Sequence, residues 1–386
     1  MALSASRLME QAISRTGGLT DFHEDGFRTP FGVLIESLNT EANLSAIGET
    51  LFENRLVELL CNRLEMQKYI SKHPEILNEN IEGPVVIVGL PRTGTTLLHR
   101  ILACAPDFYS LIYWECKYPS PLPGTDIDDI AARIEAGRID VEMFLTHQPK
   151  LAAIHPIYHD APDEEVILLD QTFCGAFDSM AHVPGFTRWL RNNEHGFAYE
   201  YLKRILQFLQ WQKKRRGEDQ RTWLLKAPHH LRKMEMLFSV FPHTRVIQTH
   251  RDPLQTIPSM ASFCENLWSI YSDQVDPKAT GAEWSEIFSL GMASTIKFRE
   301  GADPSRFLDI QFQDTLTRPM EVVQTIFHYL GRPLPEGIQS RMESWLEANS
   351  RDKRPTHNYS PEHFGLSEAQ LKKDFADYRK RFLPQD

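Results

Sequence analysis

The sequence predicts an α/β protein with a central parallel β-sheet flanked by helices. Three observations support this fold class. Residues 85–88 form a continuous β-branched run, which is typical of a strand buried on both faces. A glycine-rich turn and then a helical pattern follow it directly, and similar strand-like runs alternate with helical segments further along the chain. Such alternation favours βαβ units and hence a parallel sheet.

The segment before the sheet is predicted to be helical. Apolar side chains recur there at helical spacing: Phe52, Leu56, Leu59, Leu60 and Leu64. We therefore expect residues 1–80 to form a helical N-terminal extension and residues 81–335 to form the core that contains the sheet. Residues 336–386 are expected to form a C-terminal loop and helix that close the binding site.

The core is predicted strand by strand. The strand-like runs lie at residues 85–88, 222–226, 245–250 and 306–311. Helical patterns occupy residues 96–105, 231–238 and about 318–330. Two long, aromatic-rich stretches, at about 110–220 and 262–300, are predicted to be helical insertions, and insertions after sheet strands usually carry substrate contacts. The length of 386 residues fits two or three domains, or one large domain with such insertions.

The composition narrows the range of functions. The chain has 52 acidic and 42 basic side chains, which gives a formal net charge of −10. Net acidity weighs against general binding to nucleic acid or anionic membranes, but it permits a local cationic pocket. No apolar stretch approaches the roughly 20 residues that cross a bilayer, and no signal-peptide pattern is present. Five cysteines without a CxxC pair argue against a disulfide framework or a zinc site, so a cytoplasmic protein is predicted.

The strongest local signal is the turn Gly89-Leu-Pro-Arg-Thr-Gly94, which Thr95 and Thr96 follow. Its Gly-x4-Gly spacing between a strand and a helix is that of a phosphate-binding loop, in which backbone N–H groups and the helix N-terminus face an anion. The ATPase form of the motif needs a lysine after the second glycine, where this chain has Thr95. The cation lies inside the loop instead, at Arg92, where it can clamp a bridging oxygen as charge builds on a leaving phosphate.

A second group of polar residues follows the strand at residues 245–250. Arg251 and Asp252 come directly after it, and Ser259 lies eight residues beyond Arg251. A helix that begins at Pro253, or one that begins later near Pro258, would let the guanidinium and the hydroxyl converge on one further phosphate. An Arg-Asp pair at a strand end is, taken alone, more typical of a structural ion pair. Beside the loop, the ligand interpretation is favoured.

Together these motifs resemble the sulfotransferases that use 3′-phosphoadenosine 5′-phosphosulfate (PAPS), especially the bacterial group related to tyrosylprotein sulfotransferases. The family's loop for the 5′-phosphosulfate is matched by Pro91-Arg-Thr-Gly-Thr-Thr96, and its strand-end lysine by Lys226 in Lys226-Ala-Pro. Its element for the 3′-phosphate is matched by Arg251, Asp252 and Ser259. The resemblance extends from about residue 84 to residue 330. A family-like tail surrounds these residues: His357, Tyr359, Phe364 and Gly365.

The resemblance implies a P-loop-type α/β fold and a set of donor-binding residues. That set is Pro91, Arg92, Thr93, Gly94, Thr95, Thr96, Arg251, Ser259 and Arg354. Arg354 belongs to a basic tail that departs from the family's loop over the 3′-phosphate but carries enough charge for that role. The tail is either a lid or a solvated basic loop. Arg92 and Lys226 would stabilise the transferring sulfuryl group and the leaving nucleotide, 3′-phosphoadenosine 5′-phosphate (PAP).

The general base is left open between a glutamate and a histidine. Glu115 is the nearest counterpart of the base in the tyrosylprotein branch, although it lies farther along the chain than in that branch. A desolvated glutamate would be a better base near neutrality, and a structural ion pair is the alternative role for Glu115. His229 and His230, just after Lys226, would match the histidine base of the cytosolic branch. Core or helix-capping histidines are the alternative for these two.

Two further patterns receive structural interpretations. The acidic run Asp163, Glu164 and Glu165 is predicted to be the solvated start of a helix, although the family often carries an acidic turn there. His155 and His159 are four residues apart, but Pro156 between them argues against a helical metal pair.

We therefore expect an enzyme that transfers the sulfuryl group of PAPS to a hydroxyl group of a small-molecule or lipid acceptor, without a metal ion. A P-loop kinase acting on a small hydroxyl compound is the enzymatic alternative, weakened by the missing lysine. A catalytically inactive nucleotide-binding module is the other alternative. No nucleic-acid partner is expected, and a homo-oligomer is possible.

Overall fold

The computed structural model describes residues 2–149, 156–349 and 359–384. Its centre is a five-stranded, fully parallel β-sheet with the strand order β2-β3-β1-β4-β5. The strands are β1 (Val85–Gly89), β2 (Phe108–Ser110), β3 (Thr222–Lys226), β4 (Arg245–His250) and β5 (Phe307–Gln311). The predicted fold class is therefore confirmed.

Helices surround the sheet along the described part of the chain. Three precede it: α1 (Ala5–Arg15), α2 (Arg28–Thr40) and α3 (Ala46–Lys72). Those up to β3 are α4 (Thr95–Leu102), α5 (Tyr113–Lys117), α6 (Ile130–His147), α7 (Val166–Leu169), α8 (Phe177–Met180), α9 (Pro184–Asn192) and α10 (Gly196–Arg215). Those up to β5 are α11 (Met234–Val240), α12 (Pro253–Tyr271) and α13 (Pro277–Gly301). The remainder are α14 (Phe312–Thr317), α15 (Pro319–Tyr329), α16 (Ile338–Ala348), α17 (Glu368–Asp374) and α18 (Ala376–Phe382).

The two faces of the sheet belong to two hydrophobic cores. Val86 and Val88 of β1 pack into the larger core, which also contains the N-terminal helices. Val85 and Ile87 point to the opposite face and pack with α4 and α15. Because both sets are buried, β1 carries an unbroken apolar sequence and shows none of the alternation of a half-exposed strand.

The strand predictions agree with the structure almost to the residue. β3 and β4 have the predicted bounds, β1 extends one residue further to Gly89, and β5 begins one residue later at Phe307. β2 was not predicted, because three residues at a sheet edge leave little periodic signal. The helix predicted at 231–238 is a 3₁₀ turn, Pro228–Arg232, followed by α11. The assignment of the chain to an extension, a core and a closing segment stays a prediction.

The C-terminal helices end the chain beside β4. Tyr378 of α18 is buried, and its hydroxyl lies 3.2 Å from Nδ1 of His250. Arg379 pairs with Asp252, whose Oδ1 also accepts a 3.0 Å hydrogen bond from the Leu254 N–H at the start of α12. These contacts hold α18 against the carboxyl end of β4, next to the segment that begins at Arg251.

Candidate active site

The strand order brings the sequence motifs to one edge of the sheet. β1 lies between β3 and β4, so the strands that follow β1 along the chain lie on both sides of it in the sheet. In open parallel sheets, ligands bind at the carboxyl ends of the strands at such a switch point. The loop after β1, Lys226 at the end of β3 and Arg251 after β4 all lie at this edge.

The loop after β1 is held in an unusual backbone conformation by its threonines. Arg92 and Gly94 have positive φ angles of 69° and 83°. Thr93 is fully buried, and its hydroxyl donates a 2.6 Å hydrogen bond to the Leu90 carbonyl and lies 2.6 Å from Thr249 Oγ1 of β4. The arrangement fixes the loop to β4, and α4 begins directly after it with Thr95 and Thr96 in its first turn. The turn and the helix N-terminus together suit an anion.

Gly89 is required by the close approach of β4. A Cβ atom at this position would lie 2.3 Å from Thr249 Oγ1 and 2.7 Å from Thr93 Oγ1. Distances this short are incompatible with any side chain, so the first glycine of the motif is set by packing of the loop against β4. The second glycine, Gly94, is set by its positive φ, which L-residues rarely adopt.

Arg251 connects the two phosphate motifs. Its Nη1 donates a 2.9 Å hydrogen bond to the Arg92 carbonyl, and its Nε donates a 2.9 Å hydrogen bond to Gln255 Oε1. The guanidinium lies 4.2 Å from the centre of the ring of Phe312, and Phe312 is the first residue after β5. One cation is thereby fixed between the loop and the carboxyl ends of β4 and β5.

Asp252 and Ser259 occupy different parts of α12. Asp252 caps the helix and pairs with Arg379, so its contacts are structural. The helix begins at Pro253 and continues through Pro258, which places Ser259 in its second turn with 4% of its surface exposed. Of the two helix starts that the sequence left open, the earlier one is observed.

Lys226 lies deep in the site, 1% exposed, between the loop helix and the acidic run. Its ammonium pairs with Glu164 and donates a 3.4 Å hydrogen bond to Thr96 Oγ1. Its backbone N–H donates a 2.7 Å hydrogen bond to Glu165 Oε2. Lys226 is therefore oriented by two consecutive glutamates and faces the first turn of α4.

The acidic run is part of the site and does not form a solvated helix start. An antiparallel bridge between Ile112 and Pro162, and a 2.9 Å hydrogen bond from the Asp163 N–H to the Leu111 carbonyl, fold it over the end of β3. The Glu164 side chain is 18% exposed. Burial raises the pKa of the Glu164 carboxyl, and the neighbouring Lys226 cation opposes this effect in part.

The side chain of Glu165, next to Glu164 in the sequence, is fully buried. Its Oε1 lies 2.5 Å from His230 Nε2, and His230 Nδ1 lies 2.8 Å from the Tyr199 hydroxyl. All three side chains are buried. No sequence pattern separates Glu164 from Glu165, because their different environments arise from the local turn.

Glu115 is placed in a buried ion pair away from these groups. It is 2% exposed, and its Oε1 accepts a 2.6 Å hydrogen bond from Lys213 Nζ. Its Oε2 accepts a 3.3 Å hydrogen bond from the Ile112 N–H at the start of α5. Within residues 2–149, 156–349 and 359–384, no contact joins Glu115 to the loop or to Lys226. A buried ion pair of this kind is the alternative that the sequence left open beside the role of general base.

His229 is buried and contacts Arg232. It lies on the 3₁₀ turn Pro228–Arg232, and its Nδ1 is 3.3 Å from Arg232 Nη2. Burial, with Arg232 as the next contribution, holds its pKa well below the usual value, so the imidazole is neutral. His229 lines a cavity that shares no residue with the loop. Arg354 and His155 lie outside the described residues.

A second cavity, of about 530 Å³, opens beside Arg251 at the carboxyl ends of β4 and β5. Its walls include Arg251, Gln255 and Phe312 from the core and the basic side chains Lys372 and Lys380 from α17 and α18. The cavity is cationic, adjoins the loop through Arg251 and is closed on one side by the C-terminal helices. These features suit the phosphorylated end of a nucleotide.

The described ranges contain neither a cluster of metal ligands nor a helix suited to span a membrane. Within them, no group of three or more His, Cys, Asp or Glu side chains is arranged to hold a metal ion. None of the helices in the same ranges is both long enough and apolar enough to span a membrane.

Comparison with known proteins agrees with the motifs. The model of a sulfotransferase family matches residues 84–336. The omega-hydroxy-beta-dihydromenaquinone-9 sulfotransferase Stf3 of Mycobacterium bovis is 25% identical over 273 residues, which are 69% of this chain and 67% of that protein. Sulfotransferase STF1 of Mycobacterium tuberculosis is 27% identical, with a TM-score of 0.84 over 97% of this chain and 99% of that chain. Sulfotransferase STF9 of Mycobacterium avium is 26% identical, with a TM-score of 0.87 over 99% of this chain and 97% of that chain.

Proposed function

Because this chain belongs to the sulfotransferase family and is a sulfotransferase, we propose that it takes the sulfuryl group from PAPS and transfers it to a hydroxyl group of a small-molecule or lipid acceptor. The observation that carries this proposal is the convergence of Arg92, Lys226 and Arg251 at the carboxyl ends of three adjacent strands. A donor with charge at both ends of a nucleoside needs cations at such separate points.

The residues present fit PAPS in two places. The amides of the loop, with the hydroxyls of Thr95 and Thr96 behind them, would hold the 5′-phosphosulfate. Arg251 and Ser259 would hold the 3′-phosphate, since Arg251 lies between the loop and the cationic cavity. Lysine is absent after the second glycine, where Thr95 stands, which disfavours a nucleoside triphosphate as the ligand.

We propose an in-line transfer. The acceptor oxygen forms a bond to sulfur, the bond from sulfur to the bridging oxygen of the 5′-phosphate breaks, and PAP leaves with the electron pair. Arg92 and Lys226 neutralise the charge that builds on the bridging oxygen and the sulfuryl group. Positioning and electrostatic stabilisation supply most of the acceleration, as in phosphoryl transfer.

The proton of the acceptor hydroxyl goes to Glu164 in this proposal. Its carboxylate contacts the ammonium that faces the sulfuryl position, and burial raises the pKa of Glu164 toward the operating pH, which suits a general base. Glu115 and His229, the candidates from the sequence, are held by Lys213 and Arg232 instead. We therefore propose Glu164 in their place.

The acceptor class follows from the relative with an assigned substrate. Stf3 is named for a hydroxylated dihydromenaquinone, which is a lipid alcohol. This name supports a lipid-type hydroxyl acceptor for the present chain. The helical segments between β2 and β3, which are the longest insertion in the sheet, would provide its contacts.

The proposal is tested by incubating the purified chain with PAPS labelled in the sulfuryl group and a panel of hydroxylated quinones, sterols and phenols. Label in an organic-soluble sulfate ester is the expected result. In parallel, PAP at about 100 times its Kd should raise the free energy of unfolding by about 2.7 kcal/mol. If ATP with magnesium raises the melting temperature and PAP does not, the donor assignment is wrong.

A further inference from the structure

A cavity of about 600 Å³ lies apart from the proposed donor site, between α9 and α13 and above the 3₁₀ turn Pro228–Arg232. It shares no lining residue with the cationic cavity beside Arg251. Its volume is in the range of pockets that bind small molecules. None of its lining residues is assigned above to the donor or to the proton transfer, so its use does not depend on those assignments.

One wall of the cavity is apolar. Leu190 of α9 and Ile287 of α13 are buried there, and Leu290 lies at the mouth, 45% exposed. Ala279 and Ala282 continue this wall along α13, and their small side chains leave the space open. This wall suits the apolar part of a ligand.

The inner end of the cavity carries a buried polar side chain that lacks a partner. His195 is 1% exposed, and neither of its ring nitrogens has a hydrogen-bond partner in the described part of the chain. Its ring is stacked on Trp189, with 5.7 Å between ring centres. Buried polar groups are almost always hydrogen-bonded, so an unsatisfied imidazole that lines a cavity points to a ligand.

The same end is positively charged. Arg232 and Lys233 line the cavity, and both contribute to lowering the pKa of His195, whose main cause is burial. Arg232 is held by a 2.9 Å hydrogen bond to Asp178, but its Nε is buried and unsatisfied within the described ranges. Burial raises the pKa of Glu283 to about 8, so this carboxyl is mostly protonated near neutrality and does not cancel the cations.

We propose that this cavity is a second ligand site, which binds an amphiphilic anion: an apolar body that carries one sulfate, sulfonate or carboxylate group. The apolar body lies along Leu190 and Ile287, and the acid group accepts hydrogen bonds from His195 and Arg232. A neutral molecule without an acceptor group would leave Arg232 Nε and the His195 ring nitrogens unsatisfied.

The test uses two fluorescent probes with the same aromatic body. Anilinonaphthalene sulfonate carries an acid group, and N-phenylnaphthylamine does not. We expect the folded chain to bind the sulfonate at a single site, at least about tenfold more tightly than the amine, since a hydrogen bond to a charged group is worth roughly that factor. Decyl sulfate or decanoate should displace the sulfonate.

Variants assign the signal to the cavity. Ala282→Phe places an aromatic ring in the cavity. His195→Phe keeps the stacking on Trp189 but removes the ring nitrogens. Each variant should weaken binding of the sulfonate by about tenfold. Ala293→Phe, on the same helix but outside the cavity, is the matched control and should change binding less than about twofold. Melting temperatures verify that all three variants fold.

The proposal is overturned if both cavity variants fold and bind the sulfonate as the unmodified chain does. It is also overturned if the amine binds as tightly as the sulfonate, or if neither decyl sulfate nor decanoate displaces the probe. None of these outcomes involves PAPS, so they are separate from a failure of the proposed function.

Discussion

The ammonium of Lys226 and the carboxylate of Glu164 form an ion pair at the carboxyl end of β3, next to the Thr96 hydroxyl in the first turn of α4. The pair joins a cation that the sequence predicted to an acid that the sequence assigned to a solvated helix start. Transfer of a sulfuryl group needs positive charge at the leaving side and a proton acceptor at the attacking side. In the proposed mechanism, Lys226 supplies the positive charge and Glu164 accepts the proton, and one ion pair joins the two groups.

The first prediction separates the two candidate glutamates. Glu164→Gln should lower kcat by about 100-fold or more while leaving PAP affinity nearly unchanged, since a general base contributes about 10²–10⁴ to the rate. Glu115→Gln should instead lower the free energy of unfolding, by about 3–5 kcal/mol, because Lys213 is left buried and uncompensated. Steady-state kinetics and urea unfolding on both variants provide the comparison. Normal turnover in Glu164→Gln would remove this residue as the base.

The second prediction concerns the pH dependence of kcat/KM. A base acts only when deprotonated, so the rate falls as pH falls through the pKa of Glu164. Burial raises this pKa above its usual value of 4.5, so the acidic limb should lie above that pH. Lys226 lowers the same pKa, so Lys226→Met should move the limb of the residual activity to still higher pH. An unmoved limb would show that the titrating group is not in contact with Lys226.

The third prediction divides the role of Arg92 between backbone and side chain. Arg92→Ala should lower kcat by about 10²–10³, with a much smaller loss of PAP affinity, because the guanidinium acts on charge that develops during transfer. Arg92→Gly should be equally inactive, yet more stable than Arg92→Ala by about 1 kcal/mol, since glycine tolerates the φ of 69°. Kinetics combined with thermal unfolding measures both effects. Equal stability of the two variants would argue against strain at this position.

The fourth prediction tests the packing of the loop. Gly89→Ala places a Cβ 2.3 Å from Thr249 Oγ1, so the loop must move away from β4 and PAP affinity should fall at least about tenfold. Gly301→Ala is the control, because its Cβ would meet nothing within 4 Å at the end of α13. Isothermal titration with PAP on both variants gives the result. Unchanged affinity in Gly89→Ala would mean that the loop does not hold the nucleotide.

Strands β1, β3 and β4 were predictable because they are buried on both faces along almost their whole length. Residues 85–88 are apolar throughout, and Gly89 marks where β1 ends. The phosphate-loop motif could be identified from spacing alone, since its chemistry depends on residues that are adjacent in sequence. Arg92 belongs to this local motif, whereas the structural requirement for glycine at position 89 comes from the non-local approach of β4.

The acid of the site was not predictable in the same way. Glu164 and Lys226 are 62 residues apart, and their contact depends on the bridge between Ile112 and Pro162. A run of three acidic residues has the same composition whether water or a lysine lies beside it. Glu115 was one of the candidates from the sequence because it follows the loop helix, but its partner Lys213 lies on α10, which no local pattern connects to it.

The last prediction concerns stability and Glu283. The usual pKa of this carboxyl is 4.5, and burial raises it to about 8 in the folded chain. Between these values the unfolded chain is ionised and the folded chain keeps its proton, so the folded state binds more protons and loses stability as pH rises. The penalty is absent below about pH 4.5 and complete above about pH 8.

Glu283→Gln should therefore stabilise the chain at high pH, because the amide keeps the hydrogen bond that Glu283 Oε1 accepts from the Thr187 hydroxyl and cannot ionise. We expect a gain in melting temperature of about 5 °C near pH 9 and little change near pH 5. Glu286→Gln is the matched control, since this glutamate is 61% exposed and pairs with Arg191 at the surface. A gain of equal size at both pH values would show that Glu283 is already ionised in the folded chain, in which case burial does not hold its proton.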